Sequence, residues 1–408
     1  APRARASGIR GAAASRDRER TLSGLTRDTK LLASAQLLWG IGFGLIAPVL
    51  ALYLDSLGAS GTDIGLVIGG GTIAGAAGVL PAGHLADRFG RRPLLVAAAA
   101  SGMLGAAAFL PLTDWRFAFI GSSLYWAAIA GLPILTAHLA ATVPRGTLGS
   151  AMGLVYGAFF FGIILASPLS GLIAGAYGLR APFAGAVVLF ALSLTCNARI
   201  SRGPLPRTLR SGPLPGRFWA LLLLAPLAGL LSYLPTPLFT VYLRDVARTP
   251  LELIGVLVAA VSLGSAGFSA AAGRLSDRLG VAPAVVGAAL LVALGSTALV
   301  LGAGSLALLL AGSLLLGANQ AANPVVAAAI ERVLPPARLS VGYAGFQLAF
   351  TAGAGAGSIV AGTLHDTDPH LPFLVSAALA LPVAAVVSLV VVSAVRGAAG
   401  ARHAPVVE

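Results

Sequence analysis

The chain has 408 residues, of which 57% are hydrophobic and only 10% charged, with a formal net charge of +13. A soluble domain carries about 25% charged residues. This chain lacks the charge to cover a water-facing surface, which excludes a soluble enzyme, a nucleic-acid-binding protein and a disordered chain. The basic residues lie between long apolar segments, and the expected fold class is an all-α polytopic membrane protein.

In chain order, residues 1–30 form an arginine-rich tail without an apolar core. Apolar runs follow at about 31–54, 62–84, 93–112, 116–143, 147–175, 181–199, 218–243, 251–274, 282–303, 305–333, 339–364 and 371–395. A helix of about 20 apolar residues crosses a ~30 Å hydrocarbon core. Backbone groups in lipid must be satisfied within their own segment, which makes these runs helices. None alternates as the strands of a barrel would. The first run is of full span length and is read as helix 1, not as a cleaved leader. The twelve runs are helices 1–12. Residues 200–217, rich in Arg, Pro and Ser, read as a linker between a bundle at 31–199 and another at 218–395, and 396–408 as a C-terminal tail. The one cysteine, Cys196, lies in an apolar run, which excludes an internal disulfide and a cysteine metal site.

The distribution of Lys and Arg orients the chain. With the N-terminus inside, the tail holds eight basic residues and the other inside segments fifteen. Only Arg116, Arg180, Arg244 and Arg248 remain outside. Both termini are expected in the cytoplasm, with the tail touching anionic lipid headgroups and no nucleic-acid partner.

The chain repeats itself. Gly83-His-Leu85-Ala86-Asp87-Arg88-Phe-Gly90 reappears in the second half as Gly273-Arg-Leu275-Ser276-Asp277-Arg278-Leu-Gly280. The same offset, carried back without a gap, pairs Ile64-Gly65 with Ile254-Gly255, and Asp55 with Asp245. Helices 1–6 and 7–12 therefore read as two copies of one six-helix unit. Parallel repeats imply a pseudo-two-fold axis along the membrane normal and a site at the interface of the halves.

Gly83-x-Leu85-Ala86-Asp87-Arg88-x-Gly90-Arg91-Arg92-x-x-Leu95 resembles the loop 2–3 signature of the major facilitator superfamily. The resemblance covers essentially the whole chain through its twelve helices and 6+6 repeat. It implies a rocker-switch carrier in which Gly83, Asp87, Arg88, Gly90, Arg91 and Arg92 latch the halves on the cytoplasmic side. Asp277 and Arg278 belong to a degraded second copy, where Val281 and Ala282 replace the basic pair. Read from residues alone, Gly83 and Gly90 permit a tight turn, and Asp87 sits beside arginines or a helix N-terminus. The alternative is that these arginines serve orientation alone.

The branch within the family is less marked. Drug/proton antiporters of the family carry Arg then Gln-Gly in helix 4, where this chain reads Gly121-Ser122-Ser123-Leu124-Tyr125-Trp126. Their helix 5 motif is partly matched by Ser167-Pro168-Leu169-Ser170-Gly171-Leu172, which a proline kink beside small-residue packing would equally explain.

Intramembrane ionisable groups mark ion paths, yet all 14 acids fall in loops or near helix ends. Mid-depth polarity is neutral: Asn319, Gln320 and Asn323 in helix 10, Gln36 and Trp39 in helix 1, Tyr125 and Trp126 in helix 4, Tyr233 in helix 7, and Gln347 in helix 11. These are the expected substrate-binding residues. Interhelical hydrogen bonding is the alternative for the amides. His138 and Asp55 are candidates for proton coupling, with packing the alternative for His138. His365-Asp366-x-Asp368-x-His370 has metal-ligand spacing but lies in a short loop, and no metal or other cofactor is expected. The sequence thus points to a monomeric secondary transporter in the cytoplasmic membrane, not an enzyme. Its partners would be a small-molecule substrate, membrane lipids and, in one driving mode, protons. Export of a neutral or amphipathic compound is favoured, with a sugar-like solute transporter and a lipid or lysolipid flippase as alternatives.

Overall fold

The computed structural model describes residues 26–144, 147–202, 215–334 and 338–402. Most of the N-terminal tail, residues 203–214 of the linker and the last six residues lie outside the described residues. No strand occurs among the described residues, and twelve helices succeed one another. They are α1 (Arg27–Ile46, then Leu50–Ser56); α2 (Gly61–Gly65, a π turn Leu66–Gly70, Gly71–Ala77 and Val79–Phe89); and α3 (Arg91–Ala108). Next come α4 (Trp115–Phe117, Ala118–Ala127, a 3-10 turn Ala128–Ala130 and Gly131–Thr142), α5 (Leu148–Tyr177) and α6 (Ala181–Ala198). The second half contains α7 (Gly216–Tyr233, then Phe239–Asp245), α8 (Leu251–Leu279) and α9 (Val281–Leu301). It ends with α10 (Leu306–Leu316, a 3-10 turn Gly317–Gln320 and Ala322–Val333), α11 (Leu339–Thr367) and α12 (Leu371–Arg402).

Among the described residues, nine of these helices are individually long and apolar enough to cross a membrane. The other passages are α2, α3 and α10. α2 and α10 are interrupted, and α3 begins with Arg91-Arg92-Pro93. Two expected spans are broken helices. α1 breaks at residues 47–49 around Pro48, and α7 at 234–238 around Pro235 and Pro237. Proline lacks the backbone donor that a continuous helix needs at those points.

Each half is a six-helix bundle, and the duplication read from the sequence recurs as geometry. Gly90 closes α2 with φ 89° and Gly280 closes α8 with φ 93°. Both combine that φ with extended ψ, a conformation essentially reserved for glycine. The Tyr53 hydroxyl donates to the Phe109 carbonyl at 2.9 Å, and Tyr242 to Leu299 at 3.2 Å. The Tyr53 ring packs on Phe183 and the Tyr242 ring on Phe373. Within the first bundle, Ser170 and Ser193 donate to the Leu45 and Ala35 carbonyls of α1. Small residues of this kind let helices approach without a hydrophobic driving force between them.

The bundles meet tightly at one end only. Gly69 of α2 lies against the Gly355 carbonyl of α11, and Gly362 against Gly61. Gly171 of α5 lies against Leu251, and Gly255 of α8 against Ser167. Any side chain at these glycines would collide with the facing backbone. Further along the same α5–α8 seam, Gly153 and Gly157 of α5 and Gly273 of α8 have no atom within 4 Å of where a Cβ would stand. The halves are therefore sealed at the end holding loops 1–2 and 7–8, and splayed at the end holding loops 2–3 and 8–9.

Candidate substrate site between the bundles

The breaks in α1 and α7 face each other beneath the sealed end. They enclose a cavity of about 180 Å3 lined by Phe43, Ile46, Ala47, Leu50 and Ala51 of α1, Ile68 of α2, Tyr125 and Trp126 of α4, and Tyr233, Thr236, Pro237 and Thr240 of the α7 region. Its wall is aromatic. Phe43 stands 6.3 Å from Tyr125 and 6.5 Å from Trp126, measured between ring centres, and the last two rings meet edge-on at 5.7 Å. None of the lining residues carries a charge. Two polar atoms in this wall are buried with no hydrogen-bond partner, the Tyr125 hydroxyl and the Trp126 indole nitrogen. Leaving a buried polar group unpaired costs about 1–3 kcal/mol. A ligand offering acceptors to these two donors would relieve that cost.

The other expected binding residues are dispersed. Trp39 turns into the first bundle, stacking on Phe190 at 4.2 Å and reaching Gly102, so it backs the wall without lining the cavity. Gln36 is half-buried, and lies two helical turns before Phe43, hence on the same face. Gln347 donates to Thr351 of its own helix at 3.2 Å. Asn319 faces the interior of the second bundle. Its amide donates to the Ser232 carbonyl at 3.0 Å, while the Ser232 hydroxyl donates to the Asn319 carbonyl. Gln320 is half-buried at the end of the 3-10 turn of α10. The Asn323 side chain lies outside the described residues.

In the loop 2–3 motif, the side-chain positions of Gly83 and Asp87 likewise lie outside the described residues. Arg88 is exposed, its guanidinium 5.4 Å from the Phe89 ring, and Arg91 and Arg92 are half-buried. In the second copy, Asp277 and Arg278 are exposed, consistent with the splaying of this end.

Two polar clusters escaped the sequence reading. At the splayed end, the wholly buried His138 of α4 places Nε2 3.0 Å from the Asp28 carboxylate of α1, while its Nδ1 is buried without a partner. Asp28 also accepts from the Ser201 backbone N–H and hydroxyl just beyond α6. Asp28 is an acid near a helix start, and nothing in the sequence spacing joins it to a histidine three helices further on. At the sealed end, Arg244 of α7 donates to Asp55 of α1 at 2.7 Å and to its neighbour Asp245 at 2.6 Å. Asp366, at the end of α11, accepts from the Gly61 N–H at 2.7 Å, the Thr62 N–H at 2.8 Å and the Thr62 hydroxyl at 2.6 Å. It thereby ties the first turn of α2 in the opposite bundle to α11, beside that helix's own capping box of Ser60 and Asp63. Asp368 instead holds His370 at 2.8 Å, so the acids of the metal-like spacing serve different partners.

Two like six-helix bundles around an uncharged cavity, packed closely at one end, have the architecture of a membrane carrier. The sequence model of the Major Facilitator Superfamily matches residues 32–242 and 221–406, and the chain belongs to that family. It is 28% identical over 271 residues to the "Multi-drug resistance efflux pump PmrA homolog" of Lactococcus lactis, covering 59% of this chain and 64% of that protein. It is 30% identical over 265 residues to "Multidrug resistance protein MdtG" of Dickeya zeae, again covering 59% and 64%. These matches span less than two thirds of either relative. Among solved structures, that of the nucleoside transporter NupG superposes with a TM-score of 0.69 at 15% identity, covering 91% of this chain and 99% of the other. At that identity the likeness concerns the fold.

Proposed function

We propose that this transporter exports a small neutral or amphipathic compound across the cytoplasmic membrane, in exchange for protons or down the substrate's own gradient. The observation that carries the reading is the aromatic cavity without a charged lining residue, in whose wall the Tyr125 and Trp126 donors are buried and unpartnered. Such a wall offers contact area and two hydrogen bonds, and gives no counter-ion to a cation or an anion. The relatives named as multidrug efflux proteins support export. In this reading both termini are cytoplasmic, the bundles run from 31 to 199 and from 218 to 395 around the linker at 200–217, and the monomer is the working unit. The splayed end is then the cytoplasmic one, and the sealed end faces outward.

The buried Asp28–His138 pair is the proposed proton-binding element, with Asp55 at the outer seal as the second candidate. The test is efflux of neutral, cationic and anionic fluorescent dyes from cells expressing the protein, with and without a protonophore. Neutral amphipathic dyes should leave faster than from control cells, and a protonophore should slow them in the exchange mode. Preferential efflux of charged dyes would overturn the reading. A nucleoside moving in place of the dyes would favour the polar-solute alternative.

A further inference from the structure

The two bundles are built alike, which allows their interiors to be compared position by position. Gly40 backs onto the Phe159 carbonyl as Gly229 backs onto that of Phe350, which aligns α1 with α7 by matching Gly40 to Gly229. The Tyr53–Phe183 and Tyr242–Phe373 ring contacts align α6 with α12 by matching Phe183 to Phe373. The tyrosine hydroxyl bonds align α3 with α9 by matching Phe109 to Leu299. Gly105 packs on Gly121 and Tyr125 as Gly295 packs on Gly312 and Leu316, which aligns α4 with α10 by matching Tyr125 to Leu316.

At the centre of the first bundle, the Trp39 indole stacks on Phe190 and fills the space beside Gly102 and Ala128. The matching positions in the second bundle are Ala228 for Trp39 and Ala380 for Phe190, with Val292 for Gly102 and Asn319 for Ala128. Two aromatic side chains are thus replaced by methyl groups, and one valine makes up only part of the volume. A cavity of about 90 Å3 remains, and all four of these residues line it. Ser376 stands where the first bundle has Ala186, and it too lines the cavity. The two polar residues are deeply buried, Asn319 at 9% and Ser376 at 1% exposure. The Asn319 Oδ1 acceptor and the Ser376 hydroxyl have no partner.

We propose that this cavity is a second binding site, inside the C-terminal bundle and separate from the central one, for a small neutral molecule bearing a hydroxyl on a short alkyl body. A ligand hydroxyl would find an acceptor in Asn319 Oδ1 and a donor in the Ser376 hydroxyl. The alanine and valine walls take the alkyl part. Size sets the class. A void of about 150 Å3 accepts a benzene ring, so this one, about three-fifths that size, suits an alcohol of about two carbons. The proposal rests on the interior of one bundle and stands whether or not the central cavity exports amphipathic compounds.

The test is fluorine NMR of 2,2,2-trifluoroethanol titrated into the full-length protein in nanodiscs, with empty nanodiscs subtracting partition into lipid. Saturable line broadening, reversed by excess ethanol, is expected. Ala380→Phe, which supplies the phenyl group found in the first bundle, should abolish it. Ser376→Ala should weaken it at least about fivefold, because the ligand oxygen loses its donor. Trp126→Ala, in the central cavity, should leave it unchanged. The site is refuted by the absence of a saturable signal, as from a cavity holding only water, by a signal that persists in Ala380→Phe, or by one lost in Trp126→Ala. If Ala380→Phe does not fold, Ser376→Val fills the same space, and unchanged binding in that variant refutes the site equally.

Discussion

Asp366 offers the sharpest test of how the outer seal works. Its carboxylate belongs to α11 of the second bundle, and the three donors it satisfies belong to the first turn of α2 in the first bundle. Asp366→Ala removes these three bonds without touching the cavity, and leaves the capping box of Ser60 and Asp63 at the start of α2 in place. Loss of side-chain bonds to a helix's first turn costs about 0.5–2 kcal/mol, and the exposure of Asp366 argues for the middle of that range, about 1 kcal/mol. The contact joins the two bundles and exists only while this end is sealed, so the whole loss falls on that state. A loss of about 1 kcal/mol shifts the balance of the two states about fivefold toward outward opening. A 20:1 preference for the sealed state would fall to about 4:1. Spin labels on cysteines at Thr113 and Gly304, in a Cys196→Ser background, report the separation of the bundles at this end by electron–electron double resonance. With that starting balance the longer-distance population should rise about fourfold in Asp366→Ala, from about 5% to about 20%. Identical distance distributions in the variant and the parent would refute the argument, since the bonds would then survive in both states or contribute to neither.

Three further outcomes are expected. Tyr125→Phe removes one orphaned donor and should weaken binding of an acceptor-bearing substrate about 2- to 13-fold with no loss of thermal stability; Trp126→Ala, which also removes contact area, should cost more, as read by substrate-induced thermal shift. Asp28→Asn and His138→Ala should each lower proton-coupled flux in proteoliposomes at least about tenfold, some 1.4 kcal/mol on the barrier, while substrate binding persists; unchanged flux would make the pair a packing contact only. Asp87→Asn should reduce transport at least about tenfold with expression intact, and Asp277→Asn less, because its copy of the motif lacks the trailing basic pair; small and equal effects would mean that the motif only orients the chain.

The membrane class, the helix succession and the duplication were legible in the sequence, because each depends on local quantities. Apolar run length fixes a span. Gly90 and Gly280 announce the same sharp helix end at matching points of the two halves, since almost no other residue tolerates that backbone conformation. The absence of charge at mid-depth was equally legible, and the central cavity is uncharged for that reason. The direction in which each mid-depth side chain points was not. Tyr125, Trp126 and Tyr233 reach the central cavity, whereas Asn319 turns into its own bundle toward Ser232 and Trp39 turns toward Phe190. These helices are apolar on every face, so periodicity does not distinguish the side facing the cavity from the side facing a neighbour or lipid. The Asp28–His138 pair and the Asp366 tie were hidden for a related reason. Their partners lie on helices far apart in the chain, and only the packing of whole helices brings them within hydrogen-bond reach.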